Sequence, residues 1–250
     1  MRAVFYTNKG CVRKANEDAL FIGGVAVCGT DMTAPSHIEI DGDREIFCVI
    51  DGMGGYAGGA TAARIIAQAF QAGAESDNEI WLESVLRNAT GMISEAARSS
   101  PVLSNMGATL AGAVTDRGKK SIFVFNQGDC RVYRLRDGLL EKLTHDHSHV
   151  QELCDKGEIT EEEMRTHPYK NIVTECITAD ASSASEFSCR EFPLNDGDRF
   201  FACSDGVWEA LPKDEIEKSL SSDDISAACL ELQNKLSEAE CRDNVSFVFL

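Results

Sequence analysis

The sequence predicts an α+β fold in which a sandwich of antiparallel sheet is flanked by helices, and two observations carry that prediction. Helical segments come in pairs between groups of strand-like segments, where a doubly wound parallel sheet would alternate strand and helix one by one. Within a group, the strands are separated only by short polar breaks such as Asp116–Lys120 and Gly128–Asp129, which suit antiparallel neighbours. The 250 residues are 43% hydrophobic and carry no repeat, low-complexity tract or Pro/Ser-rich linker, so residues 1–250 read as one domain with length enough for a substantial core.

Taken in order, Ala3 to Ile22 reads as strand, turn and strand, and Gly23 to Arg44 as a hairpin excursion or loop. Glu45–Ile50 (EIFCVI) is a buried strand running into Asp51-Gly52. Gly58–Ala72 and Asn78–Arg98 read as helices; in the second, Ile80, Val85, Leu86, Ala89, Met92, Ile93 and Ala96 recur at helical spacing. Between Gly107 and Leu143 the segments GATLAGAVTD, SIFVFN and RVYRLR read as an antiparallel meander. His145–Asp180 is polar, charged and helical in pieces, the least core-like stretch, and reads as a flap. Strands return at Glu186–Phe192 and Arg199–Cys203. A Pro212-led helix follows, then a Ser/Asp-capped helix with Ile225, Cys229, Leu232 and Leu236 on one face, and a last strand at Val245–Leu250.

With 24 Lys+Arg against 41 Asp+Glu the net charge is −17, a field that repels nucleic-acid phosphates and anionic membranes and attracts cations. No apolar run reaches the roughly 18 residues needed to span a bilayer, and MRAVFYTNKGCVRKANED lacks the apolar stretch of a secretion signal. The expectations are no nucleic-acid partner, no membrane partner and a cytoplasmic location. The ten cysteines include no Cys-x-x-Cys pair, which leaves zinc ribbons and thioredoxin-like motifs without support. Most lie in apolar runs, as Cys48 does in IFCVI and Cys203 in FFACS, where a free thiol is a small core side chain in a reducing compartment.

Three aspartates stand at the edges of buried strands: Asp51 after EIFCVI, Asp205 after RFFACS and Asp243 before NVSFVFL. A carboxylate beside such runs is costly unless it is paired or bound to a metal. Two of the three are Asp-Gly, read as turns that aim the carboxylate outward and leave a backbone carbonyl accessible; taken singly, each is also an ordinary turn. Together with Glu17-Asp18 they form a set of hard oxygen donors without cysteine partners, which suits Mg²⁺ or Mn²⁺ rather than zinc.

Seven motifs in order carry a resemblance: RKANED at Arg13–Asp18, DGMGG at Asp51–Gly55, GATL at Gly107–Leu110, GDCRVY at Gly128–Tyr133, DHS at Asp146–Ser148, SDGVW at Ser204–Trp208 and DNV at Asp243–Val245. The chain resembles the metal-dependent serine/threonine phosphatases of type 2C, in particular their compact bacterial members. The resemblance spans nearly the whole chain and implies an α-β-β-α sandwich, with a binuclear metal centre in a cleft at one end of the two sheets. It implies two Mn²⁺ or Mg²⁺ ions per site and hydrolysis of phosphoserine and phosphothreonine by a metal-bridging water, with no covalent intermediate. The implied partners are phosphorylated proteins, the substrates of a serine/threonine kinase.

Carried over by position, the resemblance makes Asp51 the carboxylate bridging the two metals, with Asp205 and Asp243 completing the first metal's protein ligands. The second metal takes the Gly52 carbonyl and mostly water, with Glu17 and Asp18 holding those waters. Arg13 becomes the fork that grips phosphate oxygens, a geometry lysine does not reproduce. Asp129 either helps Asp205 hold a third, weaker metal or is a strand-turn carboxylate with no ligand role. The segment 147–180 corresponds to the family's flap, and its TECITAD stretch at Thr174–Asp180 departs from the usual Leu-Gly-containing pattern. Met53 stands where many eukaryotic members have a histidine proposed as general acid, and nothing in the sequence assigns that work to His37.

Rival readings fare less well. Gly52-Met-Gly54-Gly-Tyr-Ala57 matches a dinucleotide-binding fingerprint, but a second long helix and antiparallel strands follow where a parallel strand should come. Cys130 and Arg136 have the Cys-x5-Arg spacing of thiol phosphatases, yet RVYRL between them alternates like a strand and has no glycine to curl around phosphate. The alternating His145, His147 and His149 could sit on one side of a strand end as metal ligands; the reading preferred is solvated residues leading into a helix capped by Asp146 or Ser148. The non-enzyme alternative, a catalytically silent pseudophosphatase that binds phosphoproteins, should have lost one or more of the aspartates, and all are present.

Overall fold

The computed structural model describes residues 2–40, 42–73, 79–179 and 187–250. The first strands are β1 (Arg2–Asn8), β2 (Ala19–Ile22), β3 (Val25–Cys28), β4 (Ser36–Glu39) and β5 (Arg44–Met53). Two helices follow, α1 (Tyr56–Ala72) and α2 (Glu79–Ser99), then β6 (Gly107–Asp116), β7 (Ser121–Gln127), β8 (Arg131–Arg136) and β9 (Leu139–Lys142). The flap holds α3 (His149–Asp155), α4 (Glu161–Met164) and β10 (Ile177–Thr178). The chain ends with β11 (Ser188–Pro193), β12 (Arg199–Cys203), α5 (Asp205–Ala210), α6 (Lys213–Leu220), α7 (Ile225–Glu238) and β13 (Val245–Phe249).

The strands form two antiparallel sheets, one in the order β4-β1-β13-β12-β8-β9 and the other β11-β7-β6-β5-β2-β3, with β10 added against β6. Strand alternation then divides the core into three layers. Leu20, Ile22, Phe47, Val49, Ala111 and Ala113 meet Val132, Phe200, Ala202 and Val248 between the sheets. Phe21, Cys48 and Ile50, the alternate residues, pack outward against Ile66, Phe70, Leu82 and Ile93 of α1 and α2. On the opposite outer face Tyr133, Phe201, Phe247 and Phe249 meet Trp208, Ile216, Leu232 and Leu236 of α5, α6 and α7. The α-β-β-α sandwich is therefore built as expected.

The strands pair otherwise than their order along the chain suggests. The strands expected as a continuous meander do not form one: β6 and β7 pair, but β8 lies in the other sheet, beside β12 and β9. The strand, turn and strand of Ala3–Ile22 divides in the same way, β1 pairing with β13 and β4 while β2 pairs with β5 and β3. Alternation marks which face of a strand is apolar but not which partner covers it, so a hairpin and a passage between sheets look alike in sequence. The Gly23–Arg44 segment contains β3, which makes a hairpin with β2, and β4, on the edge of the first sheet. The flap is less detached than its polarity suggests, since Val150, Met164 and Ile177 are buried and Ile177 pairs with Ala108. Asn78, Asp180 and Glu186, the outer limits of three expected segments, fall outside the described residues.

The passage from β7 to β8 turns on Gly128, whose φ of +106° is open to glycine but not to an L side chain. A Cβ there would sit 2.3 Å from Thr109 Cβ. Gly128→Ala is expected to destabilise the chain by about 2–4 kcal/mol, against about 1 kcal/mol for Gly138→Ala, whose φ is +78° but which has nothing within 4 Å. Urea denaturation of the two variants checks this; equal losses would show that the contact with Thr109 is not the constraint.

Candidate active site

The period of two along β5 explains why Asp51 faces the site. Phe47 and Val49 point between the sheets, so Asp51 does too, at the end of the strand where the intersheet space opens. Its register partner on β6 is Thr109. Neither Asp-Gly pair is a turn: Asp51 and Gly52 lie within β5, and Asp205 and Gly206 open α5 after Ser204. The glycines serve close approach instead. A Cβ on Gly52 would stand 2.2 Å from Gly59 O, and one on Gly206 would stand 2.0 Å from Asn244 O. The remaining carboxylates arrive from passages between elements: Glu17 and Asp18 between β1 and β2, Asp129 between β7 and β8, and Asp243 before β13.

These passages converge on a cleft of about 210 Å³ lined by Arg13, Glu17, Asp51, Gly52, Met53, Thr109, Asp129, Asn171, Val173, Asp205, Asp243 and Asn244, with Gly54 and Gly55. All the residues picked out in the sequence are thus brought together except Asp18, which lies behind the lining, 2% exposed, where its Oδ2 accepts from Ser204 Oγ at 3.0 Å. Asp18 Oδ1 and Asp205 Oδ1 are buried without a hydrogen-bond partner. Arg13 Nη2 donates to Asp243 Oδ2 at 2.6 Å, and its half-exposed side chain lines the cleft wall. A Cβ on Gly59 would fall 2.0 Å from Glu17 Oε2 and 2.6 Å from Gly52 O, so the absent side chain is what leaves that carboxylate and carbonyl a shared space.

Neutral hydrogen bonds on one side of the cleft and ion pairs on the other hold the carboxylates in place. Asn244 Oδ1 accepts from the Glu17 N–H at 2.8 Å, while its Nδ2 donates to the carbonyls of Lys9 and Ala15 at 3.1 and 3.0 Å. Asn16 donates to Thr7 Oγ1 at 2.7 Å, and Thr7 meets Ser246 at 2.7 Å. On the other side, Trp208 Nε1 donates to the Asp129 carbonyl at 3.0 Å, and the Arg131 guanidinium lies 3.7 Å over the Trp208 ring while gripping Asp146 Oδ2 at 2.6 and 2.9 Å. The Lys170 ammonium pairs with Glu209 of α5, joining the end of the flap to the helix that carries Asp205. Sequence reading gave Asn16, Ser204, Asn244, Arg131 and Trp208 no task, although each lay inside a quoted motif. Gly59 lay outside all of them.

Burial and crowding act together on the acids. Burial is the leading cause that holds the Asp51 carboxyl well above the ordinary range, followed by the fields of Asp18, Asp205 and Asp129. Asp205 is likewise raised well above that range by burial, then by Asp129 and Glu209. Burial also raises Glu17, and pushes Asp18 and Asp129 up to about 7. The three alternating histidines form no ligand set. His145 contacts Asp155 at 3.0 Å, and the His149 ring stands 6.0 Å from Tyr169. His147 is half-buried rather than free in solvent: its Nδ1 accepts from Gly128 N–H at 3.2 Å and its Nε2 meets Ser188 at 2.8 Å, so it braces the β7–β8 passage. The helix cap is Ser148, which accepts from Gln151 N–H at 3.3 Å.

A sandwich of this topology with a carboxylate-lined cleft at its open end defines a class, and comparison with known proteins supplies the family. The family model described as protein phosphatase 2C matches residues 30–241. The serine/threonine phosphatase stp of Listeria welshimeri is 32% identical over 230 residues, spanning 89% of this chain and 84% of its own. The solved serine/threonine phosphatase PstP/Ppp of Mycobacterium tuberculosis superposes with a TM-score of 0.82 at 25% identity, over 100% of this chain and 98% of its own. A solved catalytic domain of PstP in complex with two manganese ions has a TM-score of 0.80 at 24% identity, over 100% and 98% of the two chains. The chain belongs to the protein phosphatase 2C family, whose members are metal-dependent serine/threonine phosphatases.

The raised carboxyls make a signed prediction for the metal-free chain. Unfolded, these groups titrate near 4; folded, Asp18 and Asp129 keep protons up to about 7. Between those values folding takes up protons, so the cluster's contribution to stability falls as pH rises through the window. In EDTA, Asp51→Asn is expected to become more stable relative to wild type by about 1–3 kcal/mol between pH 5 and pH 7.5, measured by thermal or urea denaturation. A difference that stays flat across that range would mean the carboxylates do not share one field.

Proposed function

We propose that this chain removes phosphate from phosphoserine and phosphothreonine in proteins at the cleft between its sheets, using two divalent ions, Mn²⁺ or Mg²⁺. The observation that carries the reading is the convergence of Glu17, Asp51, Asp129, Asp205 and Asp243 on one opening, with a buried Asp205 oxygen left unpartnered. Such hard oxygen donors fit Mg²⁺ or Mn²⁺, and Asp51, Asp205 and Asp243 would hold one ion, with Asp51 shared to a second beside the Gly52 carbonyl. Glu17, and Asp18 behind it, would orient water around the second ion, and Asp129 with Asp205 would take a third, weaker one. Among the described residues no three His, Cys, Asp or Glu side chains are already arranged to hold an ion, so Asp51, Asp205 and Asp243 would draw together around it on binding. Bound there, two such ions supply a water nucleophile at neutral pH and neutralise charge on the transferring phosphoryl group.

The chain's own residues do the rest. Arg13, already on the cleft wall, presents its remaining N–H groups to phosphate oxygens and keeps Asp243 in place with the other. Gly54 and Gly55, both at positive φ, bring bare backbone to the rim opposite. Among the described residues no histidine lines the cleft and Met53 does, so the leaving serine or threonine oxygen would take its proton from a water or from another acid. Phosphoproteins, the products of a serine/threonine kinase, are the substrates this cleft suits, since it is open and borders the flap at Asn171 and Val173. A cytoplasmic location is part of the same proposal, supported by ten free cysteines, which suit a reducing compartment.

The decisive assay is hydrolysis of a phosphothreonine peptide and para-nitrophenyl phosphate with Mn²⁺, with Mg²⁺ and with excess EDTA. Turnover restored by metal and abolished by EDTA is expected; a folded chain inactive with both metals would favour the phosphoprotein-binding alternative. Asp205→Asn is expected to lower kcat at least about 100-fold while leaving the fold intact by circular dichroism, and retained activity would remove Asp205 from the centre. Arg13→Lys is expected to raise KM for the phosphopeptide about tenfold with a smaller change in kcat, because a point charge replaces a fork. An unchanged KM would take Arg13 off the phosphate.

A further inference from the structure

Opposite ends of the chain bring two thiols together on the far side of the Arg13 loop. Cys11 N–H donates to the Cys241 carbonyl at 2.9 Å, which puts the two backbones in direct contact, as a disulfide with its α-carbon span of about 4.4–6.8 Å requires. Gly10, at φ +72°, allows the approach, since a Cβ there would lie 2.7 Å from the Cys241 carbonyl oxygen. Glu240, in the left-handed region at φ +51°, ends the helical stretch and turns Cys241 back beneath α7. Both cysteines line one cavity of about 210 Å³, with Tyr6, Leu236 and Val245 around them. Cys11 is exposed and Cys241 is buried at 7%. Each Sγ makes only a weak bond to a carbonyl, Cys11 to Glu240 at 3.1 Å and Cys241 to Leu236 at 2.9 Å, which a rotation about χ1 releases. Other cysteines of the core, such as Cys48 and Cys203, sit within strands on separate layers.

We propose that Cys11 and Cys241 are a redox pair that closes reversibly into a disulfide through exchange with a small-molecule disulfide such as oxidised glutathione. Cys11, exposed to solvent, gives its proton to water and attacks one sulfur of the oxidant; the oxidant's S–S bond breaks and one thiolate leaves. Cys241 gives its proton to water and attacks Cys11 Sγ, the mixed disulfide breaks, and the second thiolate leaves. Two electrons pass from the cysteine pair to the oxidant, which ends as two thiols. The closed bond ties the loop that carries Arg13 to the segment that carries Asp243, two residues beyond each cysteine, and a reducing thiol reopens it.

Mapping the bond needs no phosphatase assay, so its outcome is separable from that of the proposed activity. The full chain, reduced and then exposed to oxidised glutathione without denaturant, is alkylated and digested with trypsin. The peptide GCVR (residues 10–13) should be recovered joined to LSEAECR (residues 236–242), and separate again after dithiothreitol. Joining should run at least about tenfold faster than in the chain unfolded in urea, because the fold holds the partners together. Cys11→Ser should abolish the product; Cys241→Ala should leave Cys11 at the mixed glutathione disulfide, and the exposed Cys11 variant guards against a failure of Cys241→Ala to fold. Wild-type chain that stops at the mixed disulfide, joins Cys11 to another cysteine, or leaves both peptides alkylated overturns the proposal.

Discussion

The mutual repulsion of carboxylates gathered at the open end of an apolar sandwich is the constraint around which the rest of the molecule is arranged. Placing Asp51, Asp129 and Asp205 where burial already disfavours their charge, and then within one another's fields, costs stability that a sheet sandwich has no reason to incur for folding alone. The hydrophobic layers on either side of each sheet are what tolerate it. Divalent cations at the proposed site would resolve the conflict, and the arrangement that is poor for stability is what such a site needs.

Everything near the cleft keeps those acids from relaxing apart. Asn244 and Asn16 hold the Glu17-Asp18 segment through neutral hydrogen bonds, so no competing positive charge is introduced beside the acids they support. Arg131, by contrast, is a buried cation that grips Asp146, lies over the Trp208 ring that donates to the Asp129 carbonyl, and opposes the rise of the Asp129 carboxyl with its own field. Four glycines do the complementary work: Gly52, Gly59, Gly128 and Gly206 remove the atoms that would push strands, helix and carboxylates apart. Function here depends on backbone proximity as much as on the acids themselves.

Much of this was legible in the residues. The buried strands and the helix pairs could be picked out from alternation, Asp51, Asp205 and Asp243 from their places at strand edges with Glu17 beside them, and Asp129 from the family likeness, which also assigned the roles. Asp18 was placed in the right neighbourhood but one layer too close to the opening. The two Asp-Gly pairs were read as turns because glycine after aspartate most often marks one, whereas here glycine answers to Gly59 and Asn244, residues distant in sequence from each partner. His147 looked solvated because nothing local shows that Gly128 and Ser188 would enclose it.

From the sequence alone came the inventory: which strands are apolar on which face, which side chains can hold a hard cation, and that no linker interrupts the chain. Sheet membership came from folding, since β1 and β2, or β7 and β8, obey the same period of two whether they pair with each other or separate into facing sheets. That separation sends Glu17, Asp18 and Asp129 across the gap to meet Asp51, and the closing of β13 beside β1 sets Cys11 against Cys241. The period of a strand is a property of neighbouring residues; the contact between chain ends exists only after long loops have closed, and no local pattern records it.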